Sequence, residues 1–155
     1  MDADSIIRFK ELTFGYGPKT IINNLSFNIP KGRVVAIMGG SGVGKTTLLK
    51  FITGLITPKP NEVFVFDRDF ALLEQSEKNN LRKKIGLLFQ FGALFTDLTC
   101  FENVAFPLRE HSKLPSSILE TTVMLKLESV GLRGAAHLMP SEISGGMARR
   151  VALAR

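Results

Sequence analysis

The fold-deciding stretch of this chain is residues 39–46, which read Gly39-Gly40-Ser41-Gly42-Val43-Gly44-Lys45-Thr46. The order is a complete P-loop, G-x-x-x-x-G-K-[ST]. A loop that wraps a polyphosphate directs successive backbone N–H groups inward and keeps side chains clear, which favours glycine. The apolar run before it, residues 34–38, predicts a buried strand. The apolar residues after it recur at helical spacing and predict a helix: Leu48, Leu49, Ile52 and Leu55.

Side chains at the end of the loop supply the chemistry. Lys45 reaches the β- and γ-phosphates as a point charge. The Thr46 hydroxyl is placed to ligate Mg²⁺, a hard cation that shares oxygen ligands with substrate phosphates. The helix N-terminus adds partial positive charge where the phosphates lie. We therefore predict that residues 39–47, with Thr47 as the last, bind a nucleotide; an ordinary glycine-rich turn is the alternative.

Length and composition fit one globular domain. The chain has 155 residues, of which 45% are hydrophobic and 22% charged. No apolar run approaches the roughly 18 residues of a membrane span. The acidic start does not resemble a secretory signal, and the single cysteine, Cys100, is expected to serve packing. We expect a cytoplasmic protein. The net charge of +6 is compatible with binding to nucleic acid, to an anionic membrane surface or to a nucleotide. Solvated lysines dispersed over the surface are the alternative explanation.

Periodicity predicts the remaining elements. Alternation over residues 7–14 and 25–29 predicts two half-buried strands, and residues 63–66 predict a strand followed by a turn. Residues 85–89 are a further strand candidate. From Cys100 onward the pattern is helical: one helix spans residues 119–130 and stops at Gly131, and another runs from Gly145 to the chain end.

Two further motifs occur in a family-specific order. Gly86-Leu87-Leu88-Phe89-Gln90 is an apolar stretch that ends in glutamine, and residues 140–147 place Ser144, Gly145 and Gly146 at a helix start. Together with the P-loop, they resemble the Walker A, Q-loop and signature motifs of ABC (ATP-binding cassette) transporter ATPases. The resemblance implies an α/β P-loop NTPase domain with an N-terminal antiparallel β portion. Residues 1–99 would form the β portion and P-loop core, and residues 100–155 an α-helical signature subdomain.

The resemblance also assigns roles to residues. A serine before two glycines at a helix start exposes N–H groups and forms a second phosphate-binding end. In this family two subunits dimerise head to tail, so Ser144, Gly145 and Gly146 would close on the γ-phosphate held by the partner's P-loop. Gln90, catalytic together with Lys45, would reach Mg²⁺ or the water near the γ-phosphate. Tyr16 matches the aromatic position that stacks on adenine, with core packing as its alternative.

The match narrows at residues 91–99 and 107–111, which resemble the ATPase of Mla-type (maintenance of lipid asymmetry) or toluene-tolerance phospholipid transporters. Met147, in place of the family's usual glutamine, belongs to that likeness, and we expect no ATP contact from its side chain. The implied cofactors are ATP and Mg²⁺. The implied partners are a second ATPase subunit, an integral membrane permease and an MCE-type lipid-binding subunit, on the cytoplasmic face of the inner membrane, with no nucleic acid. His111 and His137 are isolated and are interpreted as surface or packing residues.

Some family motifs do not occur in this chain. No apolar run ending in Asp-Glu follows the signature motif, so the Walker B aspartate, the catalytic glutamate, the D-loop and the switch histidine are missing. We expect the front portion of an ABC ATPase domain, with an open sheet edge beside the P-loop strand. Two alternatives stay open. One is a soluble ABC protein acting on nucleic acid or ribosomes, which the pI of 9.7 permits; the other is a non-catalytic truncated nucleotide-binding fragment.

For the 155-residue chain itself we expect ATP turnover near the uncatalysed background. Loss of the catalytic carboxylate removes general-base help worth about 10²–10⁴-fold, and loss of the Walker B aspartate loosens Mg²⁺. Phosphate release by the purified chain, compared with its Lys45→Ala variant, measures this. Lys45-dependent turnover of about one per second, a normal rate for such enzymes, would contradict the expectation.

Overall fold

The computed structural model describes residues 5–90 and 92–155, and the chain divides into two compact units. The first unit is residues 1–86 and contains the P-loop; the second is residues 87–155 and contains Gln90 and the Ser144-Gly145-Gly146 stretch. Residues 87–99 thus belong to the second unit. The sequence-based grouping of residues 1–99 as one subdomain stays a prediction.

The first unit contains a four-stranded antiparallel sheet in the order β2-β1-β3-β4. Phe9 and Leu12 of β1 are buried on either side of a register shift at Glu11, and Phe9 stacks on Phe27 of β2 with ring centroids 4.8 Å apart. This confirms the predicted strands over residues 7–14 and 25–29 and the N-terminal antiparallel portion. The four strands are β1 (Ser5–Tyr16), β2 (Lys19–Pro30), β3 (Val63–Val65) and β4 (Arg68–Asp69).

A tight turn joins β3 to β4, as the sequence predicts. Phe66 and Asp67 have φ of 51° and 61°. Two consecutive positive φ values match the twist of paired strands in a two-residue hairpin. The turn therefore keeps Val63 and Val65 facing the core of the unit.

The helix after the P-loop, α1 (Lys45–Ile52), is confirmed, but it ends before Leu55. Its inner face buries Phe51, which meets Phe14 of β1 edge to face at 5.1 Å. Gly54 has φ of 69°, a left-handed conformation that terminates helices. Leu55 is therefore exposed rather than part of the apolar face.

A second helix of this unit, α2 (Gln75–Arg82), holds the end of α1 in place. The Arg82 guanidinium donates to the carbonyl oxygens of Thr53 at 3.1 Å and Gly54 at 3.0 Å. These carbonyls lie where a helix leaves its last acceptors without intrahelical partners. Arg82 therefore satisfies the end of the helix that begins at the P-loop.

Two predicted strands do not form, so those predictions are wrong for this structure. Residues 34–38 and 85–89 have no strand hydrogen bonds, and the side chains of Val34 and Met38 are 103% and 88% exposed. A strand is held by its ladder to a neighbour, and none of the four strands in the described ranges pairs with either run. The pairs described are all antiparallel, so the parallel sheet with an open edge expected beside the P-loop is not formed within residues 5–90 and 92–155.

The second unit is helical, as predicted. Its helices are α3 (Cys100–His111), α4 (Ser116–Ser129) and α5 (Gly145–Ala154), and Gly131 follows α4 with φ of 70°. Cys100 lies in the shared core, where burial raises the pKa of its thiol, which confirms a packing role. His111 and His137 are exposed, as expected for surface histidines. In the described part of the chain, no helix is long and apolar enough to cross a membrane.

Asn103 of α3 fixes the segment that precedes this helix. Its side chain is fully buried (0% exposed). Its Oδ1 accepts from the Phe95 N–H at 2.8 Å, and its Nδ2 donates to the carbonyl oxygens of Phe95, Leu98 and Thr99 at 3.0–3.1 Å. A buried amide with all its polar atoms bonded rigidifies its surroundings.

Asn103→Ala is expected to lower the free energy of unfolding by about 2–3 kcal/mol, because part-buried backbone groups lose their partners and the buried amide is removed. Denaturant titration followed by circular dichroism measures the change. Glu120→Ala, at an exposed position of α4, is the control and is expected to change the value by less than about 0.5 kcal/mol. Equal stability of the two variants would show that the Asn103 network is not needed.

Candidate functional site

The P-loop backbone takes conformations that require glycine at Gly42 and Gly44. Their φ angles are 80° and 97°, in the left-handed region. At Gly44 an added Cβ would also lie 3.0 Å from Cγ2 of Ile21, a residue of β2. Gly44 is at once the last loop residue and the N-cap of α1. The curvature of the loop and the direction of the helix therefore depend on the same residue.

Lys45 folds back over the loop that precedes it. Its Nζ donates to the carbonyl oxygen of Gly39 at 2.8 Å and to that of Gly40. An ammonium group has three donors, so two loop contacts leave further capacity. The Lys45 ammonium is therefore held against the first two residues of the loop, Gly39 and Gly40.

The start of α1 has the properties of an anion site. Gly44 has no side chain to cap the helix, and the first turn carries no acidic residue. The first N–H groups of a helix lack intrahelical partners and carry partial positive charge. Thr46 is exposed at this end and Thr47 is buried. Free N–H groups, a lysine ammonium and an exposed hydroxyl fit a phosphate group with an accompanying Mg²⁺.

Tyr16 lies at the end of β1 in the same unit. Its ring meets Phe14 in a T-shaped contact at 5.0 Å, and the side chain is 49% exposed. Half of this aromatic side chain is thus free to contact a planar group.

The second helix start, at α5, differs from the first. The Ser144 Oγ accepts a hydrogen bond from the Met147 N–H at 3.2 Å and caps the helix. A Cβ added at Gly145 would meet no atom within 4 Å, and one at Gly146 would meet only the Ser144 hydroxyl at 3.9 Å. Packing of this chain therefore does not require glycine at these two exposed positions. Met147 packs its side chain against the helical core.

Gln90 is exposed and lines an open, largely apolar cavity of about 530 Å³ in the second unit. Ala148 of α5 lines the same cavity, together with Phe89, Ala93, Leu94, Thr96 and Pro140. The structure thus brings the segment around Gln90 and the helix that Ser144 begins to one place. The P-loop residues and Tyr16 lie in the other unit.

Sequence reasoning missed Arg155 and Gly92. The Arg155 guanidinium donates to the carbonyl oxygens of Gly92 and Ala93, which lie 63 and 62 residues earlier. In the sequence Arg155 is only one of the polar positions of a helix, and no local pattern links it to a loop so distant.

The comparison with protein families gives a match over most of the chain. The family described as "ABC transporter" matches residues 22–155.

Individual curated proteins are similar to this chain over nearly its whole length. "Intermembrane phospholipid transport system ATP-binding protein MlaF" of Haemophilus influenzae is 54% identical over 97% of this chain and 57% of that protein. The protein of the same name from Escherichia coli K12 is 51% identical, over 97% of this chain and 56% of that protein. "Protein TRIGALACTOSYLDIACYLGLYCEROL 3, chloroplastic" of Arabidopsis thaliana is 42% identical, over 99% and 44%. The chain spans about half the length of the curated relatives it matches.

Solved structures give the same fold. A dimeric, post-hydrolysis structure of the ATP-binding cassette MJ0796, bound to ADP and Pi, aligns with a TM-score of 0.83 at 31% identity. The alignment covers 96% of this chain and 67% of that one. The structure of cbiO1 from Clostridium perfringens aligns with a TM-score of 0.82 at 28% identity, over 97% of this chain and 60% of that one.

Proposed function

The chain belongs to the ABC transporter family, and on that premise we propose that it is part of the ATP-binding motor subunit of a phospholipid transporter. The subunit would couple ATP binding and hydrolysis to movement of phospholipid across or between membranes. The family and the P-loop NTPase fold expected from the sequence are confirmed. The observation that carries the nucleotide-binding proposal is the left-handed Gly44 at the start of α1, beside an ammonium held by the loop. The lipid cargo follows from the relatives named as phospholipid transport proteins.

In this proposal residues 39–47 bind the ATP phosphates. The N–H groups at the start of α1 would donate hydrogen bonds to phosphate oxygens without reorganising, because the loop is already curved by Gly42 and Gly44. Lys45 moves its ammonium from loop carbonyls to phosphate oxygens. Thr46 and Gln90 would hold Mg²⁺, which when bound neutralises charge on the phosphates. The exposed ring of Tyr16 would stack on adenine.

The Ser144-Gly145-Gly146 stretch would serve the nucleotide of a second subunit. Neither backbone strain nor packing requires glycine at Gly145 and Gly146. A ligand group that approaches the backbone closely would explain why side chains are absent there. The N–H groups of these glycines open α5 and are suited to phosphate. One ATP does not need two such helix starts, so a head-to-tail dimer accounts for both. The MJ0796 cassette is dimeric, in agreement with this arrangement.

The remaining partners follow from the same relatives. A motor subunit acts on an integral membrane permease, and phospholipid transport of the Mla type adds an MCE-type lipid-binding subunit. The subunit would lie on the cytoplasmic face of the inner membrane. Co-purification of the tagged gene product with these two proteins from detergent-solubilised membranes tests the assembly.

Lys45→Ala is expected to abolish or severely weaken binding of Mg·ATP, because several charge-assisted contacts to phosphate are lost together. Titration of the whole gene product with a fluorescent ATP analogue measures the affinity. Lys50→Ala, which removes an ammonium from the last turn of the same helix, is the control and is expected to retain affinity within about threefold. Unchanged affinity in Lys45→Ala would remove Lys45 from the site.

Ser144→Arg is expected to leave nucleotide binding by one subunit nearly intact but to block ATP-driven dimerisation and hydrolysis. Ser144→Asp is a second variant, because aspartate can still cap α5 but repels phosphate. Ser129→Arg, at the exposed end of α4, is the control. Sedimentation with and without ATP, together with phosphate release, gives the readout. Retained hydrolysis in both Ser144 variants would contradict the two-subunit site.

A further inference from the structure

Two bulges face each other across the β1–β2 hairpin. Glu11 of β1 and Asn24 of β2 have φ of 51° and 47°, a left-handed conformation that is uncommon for residues other than glycine. They lie at shifts in the strand register, on opposite sides of the pair formed by Leu12 and Leu25. The register pairs that bracket the two shifts are Phe9 with Phe27, Leu12 with Leu25, and Phe14 with Ile22. A bulge bends its strand and increases the local twist, so the hairpin changes direction at this point.

A hydroxyl group on the opposite strand holds each bulge. The Glu11 N–H donates to the Ser26 Oγ at 2.8 Å, and the Asn24 N–H donates to the Thr13 Oγ1 at 2.9 Å. The extra residue of a bulge has no place in the backbone ladder, so its N–H bonds either a side chain or water. Each strand thus contributes one bulge and one hydroxyl, and the two hydroxyl acceptors select one geometry for the pair of bulges.

The bulges separate two parts of the hairpin that pack on different neighbours. The part before them pairs with β3, where Phe9 lies opposite Val63. The part after them, residues 13–23, is the tip of the hairpin, and there Phe14 meets Phe51 of α1 edge to face at 5.1 Å. The geometry of the bulges therefore sets how the tip lies on the helix that begins at the P-loop.

Tyr16 belongs to this tip and is held to it on two sides. Its ring meets that of Phe14 at an angle of 86° with centroids 5.0 Å apart, and Phe14 in turn contacts α1. A Cβ added at Gly15 would lie 2.3 Å from the Lys19 carbonyl oxygen, so the backbone just before Tyr16 lies directly against β2. The position and plane of the Tyr16 ring therefore follow the orientation of the tip.

We propose that Thr13 and Ser26 are positioning residues, whose hydroxyls fix the two bulges and thereby hold the Tyr16 ring in the plane that stacks on the base of the bound nucleotide. The inference rests on the proposed function and deepens it, because it names what sets recognition of the base as distinct from the phosphates. Neither hydroxyl contacts the nucleotide in this scheme. Since residues 39–47 would bind the phosphates, the two parts of the ligand can be measured separately.

The test uses the whole product of the gene that encodes this chain and compares Mg·ATP with Mg·tripolyphosphate, which has phosphates but no base. Thr13→Val keeps the branched shape without the acceptor and is expected to lower the affinity for ATP by about 3- to 10-fold, because stacking on the base is weakened. Its affinity for tripolyphosphate is expected to stay within about twofold, because the P-loop is unchanged. Ser26→Ala removes the other hydroxyl and is expected to act in the same way. Displacement of a fluorescent ATP analogue, titrated first with each variant, gives both affinities.

A double substitution separates positioning from a general structural role. Tyr16→Ala alone is expected to lower the affinity for ATP by about 10-fold and to spare that for tripolyphosphate. Addition of Thr13→Val to Tyr16→Ala is expected to change the affinity for ATP by less than about twofold, because the hydroxyl acts through the ring. A merely structural role would instead lower the affinities for both ligands, with or without the tyrosine.

Two further variants are the controls. Thr13→Ser retains a hydroxyl acceptor and is expected to keep the ratio of the two affinities within about twofold of the wild type. Thr20→Val makes the same chemical change as Thr13→Val at an exposed position of the tip, opposite Gly15 in the register and outside both bulge contacts. It is also expected to keep the ratio within about twofold. Thermal unfolding establishes that each variant is folded.

Several outcomes would overturn the proposal. They are a wild-type ratio of affinities in folded Thr13→Val or folded Ser26→Ala, an equal loss of affinity for both ligands, and a loss that Thr20→Val shares. A ratio that Tyr16→Ala leaves unchanged would overturn it as well, since the ring would not meet the base. If Thr13→Val does not fold, Ser26→Ala decides by the same criteria. Absence of Lys45-dependent binding of both ligands in the wild type would overturn the proposed function and this inference together, whereas Lys45-dependent binding with an unchanged ratio in the variants overturns this inference alone.

Discussion

The left-handed conformation of Gly44 is the constraint on which the first unit depends. At this residue the loop ends and α1 begins, and an added Cβ would lie 3.0 Å from Ile21 and 3.1 Å from Ile22 of β2. The hairpin, the loop and the helix are therefore one packing arrangement. The position of the Lys45 ammonium follows from it, because a helix that leaves the loop in this direction returns its first side chain over the loop carbonyls.

Glycine has two different physical roles at the two helix starts. At Gly44 the left-handed backbone angle favours glycine, and any added Cβ would force the neighbouring isoleucine side chains to shift. At Gly145 and Gly146 there is open space and no left-handed angle. The first site is thus built by the fold of its own chain. The second leaves the backbone at Gly145 and Gly146 exposed, as the proposed contact with a second subunit requires.

In each unit an arginine side chain binds the carbonyl oxygen of a left-handed glycine and that of a neighbouring residue. Arg82 binds the carbonyl groups of Thr53 and Gly54 after α1, and Arg155 binds those of Gly92 and Ala93 after Gln90. A guanidinium suits this task because its donors are coplanar and can bond neighbouring acceptors together.

The sequence by itself determined the P-loop, the family, the strands β1 and β2, the helices α1, α4 and α5, and the helical character of the chain from Cys100 onward. Each element is specified by residues close together in the chain, through glycine spacing or apolar periodicity, and the family by the order of three such local motifs. The same periodicity wrongly predicted strands at residues 34–38 and 85–89, because an apolar pattern records a tendency to be buried but does not supply a hydrogen-bonding neighbour. Only the tertiary structure decided that Arg155 binds a loop 63 residues earlier. A contact between backbone carbonyls and one distant side chain leaves no periodic pattern, since it depends on where packing places the two segments.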